Sequence, residues 1–375
     1  MYNSRMKKAP AFPSIVAVTI LIVGGLVVSV VGPSAQPLVR AGAPDRTTTA
    51  AAVQPGQAAQ PAQAAQSGQS AAAANSQIAL GPNASLGGRR VLSPDSAWNT
   101  PIDHLQVDPQ SAKYIASIGA DVSLHPDFGA VDPGSPQGAP WGIPYVVVSG
   151  DTKRYPVTFE YADESDDVLY PIPPFPPIEG VPTGKFPTGE GDHHILIIDR
   201  DNSRLYELFA VRFADRRWMA GAGAVWDLFG DTKRPRGWTS TDAAGLPVFP
   251  GLVRYDEAVE KGRIEHALRF TAPKTRRAYT GPANHWASKD TNPNLPPMGL
   301  RVRLKASIDV NAFPAHVRPI LIAMKTYGMI LADNGGPFYF SGAPDPRWHD
   351  AEINLLKKIK GSDFEAVQVG TIIAP

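Results

Sequence analysis

Not one of the 375 residues is cysteine. That absence removes a disulfide framework, a thiol nucleophile and any Cys-ligated zinc. A surplus of positive charge is also missing: 36 Lys and Arg face 35 Asp and Glu, a formal net charge of +1. A phosphate-binding surface needs clustered cations, and no basic run supplies them, so nucleic acid is not an expected partner. The chain carries no G-x-S-x-G, no G-x-G-x-x-G, no Walker-type loop and no H-E-x-x-H. These gaps argue against a nucleophile-elbow hydrolase, a nucleotide cofactor and a zincin-type metal centre. No period recurs that would mark a solenoid or propeller.

Long hydrophobic runs are scarce as well. The one that stands out, residues 15–31 (IVAVTILIVGGLVVSVV), follows Arg5, Lys7 and Lys8. Basic residues ahead of an apolar segment keep the N-terminus cytoplasmic and send the rest outward. Residues 1–35 therefore read as a signal peptide or signal anchor, with small-residue cleavage motifs at Pro33–Ala35 and Ala41–Ala43. The protein is expected outside the cytoplasm, touching the membrane only through this segment. Residues 36–90 form a linker whose centre, about 46–85, is rich in Ala, Gln, Pro and Ser. Without apolar periodicity such a stretch cannot offset its ordering entropy, and disorder is expected.

What is present is a body, residues 91–375, large enough for a sizeable core and expected to be one domain. Its apolar runs are short and strand-like: residues 143–148, 155–161, 194–198, 204–213, 267–271, 300–304, 329–332 and 338–340. The DRDNS stretch at 199–203 is a hairpin-turn signal. Helical periodicity is confined to 316–327 and 351–359, with Asp350 placed to cap the latter. Residues 171–187, rich in proline, predict an extended excursion. The expected class is mainly β, an antiparallel sandwich or barrel with a few peripheral helices.

The segment 221–257, GAGAVWDLFGDTKRPRGWTSTDAAGLPVFPGLVRYDE, sets acids, arginines and tryptophans between glycines and prolines. Polar residues on such constrained backbone are how a scaffold presents reactive groups. Asp242 ranks first, since Ala243, Ala244 and Gly245 leave room for a ligand; its competing role is to cap a short helix. Asp227 follows, with ion pairing to Lys233, Arg234 or Arg236 as its structural alternative. Asp256 and Glu257 succeed Arg254 and Tyr255, and either could partner Asp242 in a two-carboxylate glycosidase site.

Histidines admit a second mechanism. His266, His285 and Tyr279, with Asn284 and Arg254, are the residue types of a polysaccharide lyase, in which a base takes the proton α to a uronate carboxyl and an Asn or Arg steadies the enolate. Each histidine alone reads more readily as structural. Trp238 and Trp286 offer stacking faces for sugar rings. Glu190, Asp192, His193 and His194 are donors of a metal-binding kind. As strand neighbours, however, His193 and His194 face opposite sides, so no metal is expected, and His193 is assigned to substrate binding. Asp333–Gly336, DNGG, reads chiefly as a turn whose side chains could border a cleft.

Several long phrases (DHHILIID, LYELF, GAVWDL, GWTSTDAAGLPVFPGLVRYDE, HALRFT, PPMGLRVRLKAS and YGMILADNGG) resemble a group of secreted bacterial proteins across most of residues 98–369. The resemblance implies no activity and assigns no catalytic role. From the residues themselves three functions are expected to compete. The first is a carbohydrate-active enzyme, a glycoside hydrolase ahead of a lyase because acids outnumber histidines in the central segment. The second is a noncatalytic glycan- or cell-wall-binding module, and the third a structural surface protein, against which the lack of repeats argues. The expected partner is a polysaccharide, with no cofactor.

Overall fold

The computed structural model describes residues 78–130 and 138–375. The apolar run at 15–31 and residues 36–77 of the expected linker lie outside the described residues. In chain order the strands begin with β1 (Gly81–Pro82), β2 (His125–Asp127), β3 (Tyr145–Val148), β4 (Val157–Phe159), β5 (Ile195–Asp199), β6 (Arg204–Phe209), β7 (Arg212–Ala214) and β8 (Arg217–Ala220). They continue as β9 (Ala222–Asp227), β10 (Leu268–Ala272), β11 (Tyr279–Thr280), β12 (Arg301–Leu304), β13 (Met329–Asn334), β14 (Tyr339–Ser341), β15 (Phe364–Ala366) and β16 (Ile372–Ile373). Among the described residues three short α-helices accompany them: α1 (Ser111–Ile118), α2 (Arg318–Thr326) and α3 (Asp350–Ile353).

The fold is mainly β, with several sheets, one of them curled into a half-barrel. A five-stranded sheet has the order β1-β3-β5-β6-β9, and a six-stranded sheet the order β15-β12-β13-β10-β14-β2. Both are mixed: β3–β5, β10–β13 and β14–β2 pair in parallel, whereas β5–β6, β6–β9 and β12–β13 are antiparallel. Parallel pairs join the antiparallel ones where long excursions separate neighbouring strands. Only a tight turn forces antiparallel pairing, and DRDNS is such a turn, with Asp199 Oδ1 accepting from Asn202 N at 3.0 Å.

The five-stranded sheet is buried on both faces. Leu196, Ile198, Leu205 and Trp226 enter one core cluster with Val248, Phe249 and Leu252. Ile195, Ile197, Tyr206 and Leu208 enter another, roofed by Ile172, Ile178 and Val181 of the proline-rich excursion. Successive side chains alternate between faces, so a doubly covered strand reads as the continuous run ILII. A third and larger core lies around β10, β12 and β13, closed by α1 and α2.

Two local expectations change. Residues 78–90 belong to the folded body: Ile78 and Leu86 are buried, β1 pairs with β3, and Asn83 Oδ1 accepts from Tyr145 N at 3.1 Å. Asp350 is the first residue of α3, not its cap, and its Oδ1 accepts from Ala130 N at 2.8 Å. The carboxylate serves a distant backbone donor in place of its own helix.

Candidate functional site

Residues 239–249 run between the two large sheets and are tied to each. On the five-stranded side, Glu207 of β6 is fully buried and receives Thr241 Oγ1 (2.8 Å), Val248 N (2.9 Å), Phe249 N (2.8 Å) and Trp226 Nε1 (3.1 Å). Burial pushes its carboxyl upward, and those donors oppose the shift. On the six-stranded side, Ala244 N donates to Ala332 O at 2.9 Å, beside the end of β13. The turn within this segment is closed by Ser240 Oγ, which donates to Leu246 O (2.6 Å) and receives Asp242 N (3.0 Å).

This arrangement holds Asp242 with no side-chain exposure. Arg269, the second residue of β10, donates Nε to Oδ2 at 3.2 Å and Nη2 to Oδ1 at 3.0 Å, and its Nη1 donates to Ser341 Oγ at 2.6 Å. Both carboxylate oxygens are thereby committed to the guanidinium. Burial raises the affinity of Asp242 for a proton, and Arg269 opposes it. Asp242 also hydrogen-bonds the carboxyl of Asp333, the half-buried residue near the end of β13. Burial, and then the charge of Asp242, push Asp333 up to about 7. Two adjoining carboxyls cannot both ionise cheaply, and because Arg269 favours the ionised form of Asp242, the proton resides on Asp333. The exposed acid Asp192 adds a further negative charge that raises Asp333.

Two histidines border the same segment. His194 donates Nδ1 to Glu179 Oε2 at 2.6 Å and Nε2 to Thr241 O at 2.9 Å. Burial alone would lower its affinity for a proton; Glu179 outweighs burial and holds it at about 9. With both nitrogens donating, His194 is a fixed cation and not a proton shuttle. His285 is half-buried and donates Nδ1 to Ala243 O at 2.7 Å, which fixes the tautomer with the lone pair on Nε2.

The other expected residues fall elsewhere. Asp256 and Glu257 lie together on a single π-helical turn, Asp256–Glu260, and both are buried against Arg254. Glu257 Oε2 also meets His266 Nε2 at 2.8 Å, while His266 Nδ1 meets Ala267 O at 2.8 Å. Burial would raise Glu257, but Arg254 and His266 outweigh it and hold the acid at about 2. Asp256 Oδ2 accepts from Ser85 Oγ and Leu86 N. These four residues form a buried ion network of their own, in contacts that do not include Asp242. Asp227 closes the turn after β9, accepting from Phe229 N (3.0 Å) and Gly230 N (2.9 Å).

Tyr279 is buried and receives Arg236 Nε on its hydroxyl at 2.7 Å, and Trp286 stacks on its ring at 5.6 Å. Asn284 donates to Pro235 O at 3.0 Å, and Trp238 lies 5.5 Å from the guanidinium of Arg234. Of the two adjacent histidines, His194 reaches the segment of Asp242, and His193 faces the 179–191 loop.

From the sequence His194 was weighed as a metal-type donor and Asp333 as part of a turn that could border a cleft, whereas Arg269, Glu179 and Glu207 were not singled out. One signal was available for two of them: Arg269 interrupts an apolar strand and Asp333 follows one, and a charge in such a position requires a partner. Among the described residues no group of three or more His, Asp or Glu is arranged to hold a metal ion. The chain matches no protein-family model, no curated protein and no solved structure.

Proposed function

We propose that the protein is a carbohydrate-active enzyme, a glycoside hydrolase whose general acid is Asp333. The observation that carries this reading is a half-buried carboxyl held at about 7 by burial and by an adjoining carboxylate that Arg269 keeps ionised. A carboxylic acid still protonated near neutrality can give its proton to a departing glycosidic oxygen. As the C–O bond breaks, a water adds to the anomeric carbon and gives its proton to Asp192, the exposed acid whose charge reaches Asp333, in the same step. Arg269 is bonded to Asp242 and Ser341, and Asp242 to Asp333; both are buried and act as positioning residues. The Nε2 lone pair of His285 is available to accept from a substrate hydroxyl. A lyase built on His266 is less well supported, because both ring nitrogens of His266 are occupied by buried acceptors. We place the activity outside the cytoplasm, on the strength of the basic and apolar character of residues 1–35.

The test compares the full chain with Asp333→Asn on a panel of bacterial and plant polysaccharides, assaying reducing ends and unsaturated uronides together. Asn keeps the shape of the side chain but cannot donate the proton, so reducing-end release should fall by about 10²–10⁴-fold with melting temperature retained. In the wild type, activity should decline as pH rises through about 7, where Asp333 loses its proton. Unsaturated products, or an Asn variant as active as the wild type, would overturn the hydrolase reading.

A further inference from the structure

A second polar feature lies on the other side of the His193–His194 pair. His193 has a left-handed backbone, φ 38°, which is uncommon outside glycine. Its Nδ1 donates to Glu179 O at 3.1 Å, which leaves the lone pair on Nε2. That Nε2 is buried and has no hydrogen-bond partner. A buried polar atom left unpaired costs stability and calls for an explanation. Gly191 permits the placement: a Cβ there would sit 2.8 Å from Nε2. Glu179 joins the two histidines, holding His193 by its carbonyl and His194 by its carboxylate.

His193 lines two adjoining grooves. The larger, about 680 Å³, is walled by Val181, Phe186 and Pro187 and carries Lys185 and Glu190. The smaller, about 190 Å³, shares Glu190 with it and adds Arg212. Phe186 belongs to an aromatic stack in which it lies 4.6 Å from Phe213 and 5.8 Å from Phe175. Phe175 also has a left-handed backbone, φ 48°, and is 62% exposed. Beyond its stacking on Phe186 the Phe175 ring buries little of its area, and strained backbone of this kind is found at ligand sites.

We propose that this double groove is a saccharide-binding subsite, in which a pyranose ring stacks on the Phe175–Phe186 face and a sugar hydroxyl donates to His193 Nε2. Glu190 accepts from a second hydroxyl and Lys185 donates to a ring substituent. One apolar face beside a few donors and acceptors of both signs is the complement of a neutral sugar; a nucleic acid or an acidic peptide would need more cations. The proposal rests on the carbohydrate-active reading of the Asp333 site, and Glu179 links the two.

The full chain would be titrated calorimetrically with cellohexaose, chitohexaose and xylohexaose, in an Asp333→Asn background so that no probe is consumed. We expect one of the three to bind, His193→Ala and Phe186→Ala each to weaken it by about tenfold or more, and His193→Gln, whose amide oxygen can still accept, to recover part of the loss. Matched thermal melts identify a variant that has merely unfolded, and the Gln variant then decides. If no hexasaccharide binds, or if His193→Ala, His193→Gln and Phe186→Ala all bind as the parent does, the subsite is overturned. Binding with this pattern in a protein that hydrolyses no glycan would overturn the Asp333 reading alone.

Discussion

Asp333 and His194 keep their protons for different reasons, and the difference has a measurable consequence. Asp333 is raised from 3.8 to about 7, first by burial and then by Asp242. Its proton is therefore held more tightly in the folded chain, and the stability it contributes is largest below about pH 4 and falls as pH rises through about 7. His194 is raised from 6.5 to about 9, because Glu179 outweighs burial. Its contribution is complete below pH 6.5 and is lost as pH rises through about 9. Glu257 runs the other way: held at about 2 against an ordinary 4.5, it stabilises above pH 4.5 and fails as pH drops toward 2. Asp333→Asn should accordingly remove the decline in stability between about pH 4 and 7 and leave the later decline, from 6.5 to about 9, in place. Urea unfolding at closely spaced pH values checks this; parallel wild-type and variant curves would refute the assignment of that proton. At this scale the sequence was partly legible. Asp242 was conspicuous for its small neighbours, but the proton belongs to Asp333, which the sequence marked chiefly as part of a turn that could border a cleft.

At the scale of elements, local pattern carried most of the information. The run ILII at 195–198 is a strand, residues 318–326 are a helix, and DRDNS is a turn because each depends on near neighbours in the chain. Helix α1 was missed, since Ser111–Ile118 has no side-chain cap and only Tyr114, Ile115 and Ile118 as its apolar buried residues. The segment 239–249 has no periodicity at all; its path is set by Glu207, by Ala332 and by one glycine. Gly245 has φ +72°, and a Cβ there would lie 2.0 Å from Asn284 Oδ1 and 2.6 Å from Trp238 O. Gly245→Ala should cost at least about 1–3 kcal/mol and displace the turn that carries Asp242. Reducing-end assays should show a loss of kcat larger than the change in folded fraction. A variant with full activity and unchanged melting would mean that the turn tolerates a side chain and does not position the dyad.

Over the whole molecule, the body begins earlier than composition suggests. Asn83 and Ser85 are polar residues in a Gly/Pro-punctuated stretch, yet they bond Tyr145, Pro344 and Asp256, far along the chain. Starting the chain at residue 91 would remove β1, the buried Ile78 and Leu86, and two donors to Asp256. With about 2–5 kcal/mol expected for each large aliphatic lost from a core, such a chain should melt about 10 °C or more below one starting at residue 78. Equal melting temperatures would show that these residues only decorate the surface. Periodicity, turn chemistry and the absence of cysteine determined from sequence alone a mainly β chain with few helices and no thiol chemistry, because those properties are short-ranged. Which acids meet was decided by tertiary structure. Asp242 lies close in sequence to Asp256 and Glu257, but hydrogen-bonds Arg269 and Asp333 instead, since β10 and β13 pair in parallel and carry both residues to the 239–245 turn. Strand pairing between distant segments, which leaves no local mark on either partner, determines where the charge and the proton reside.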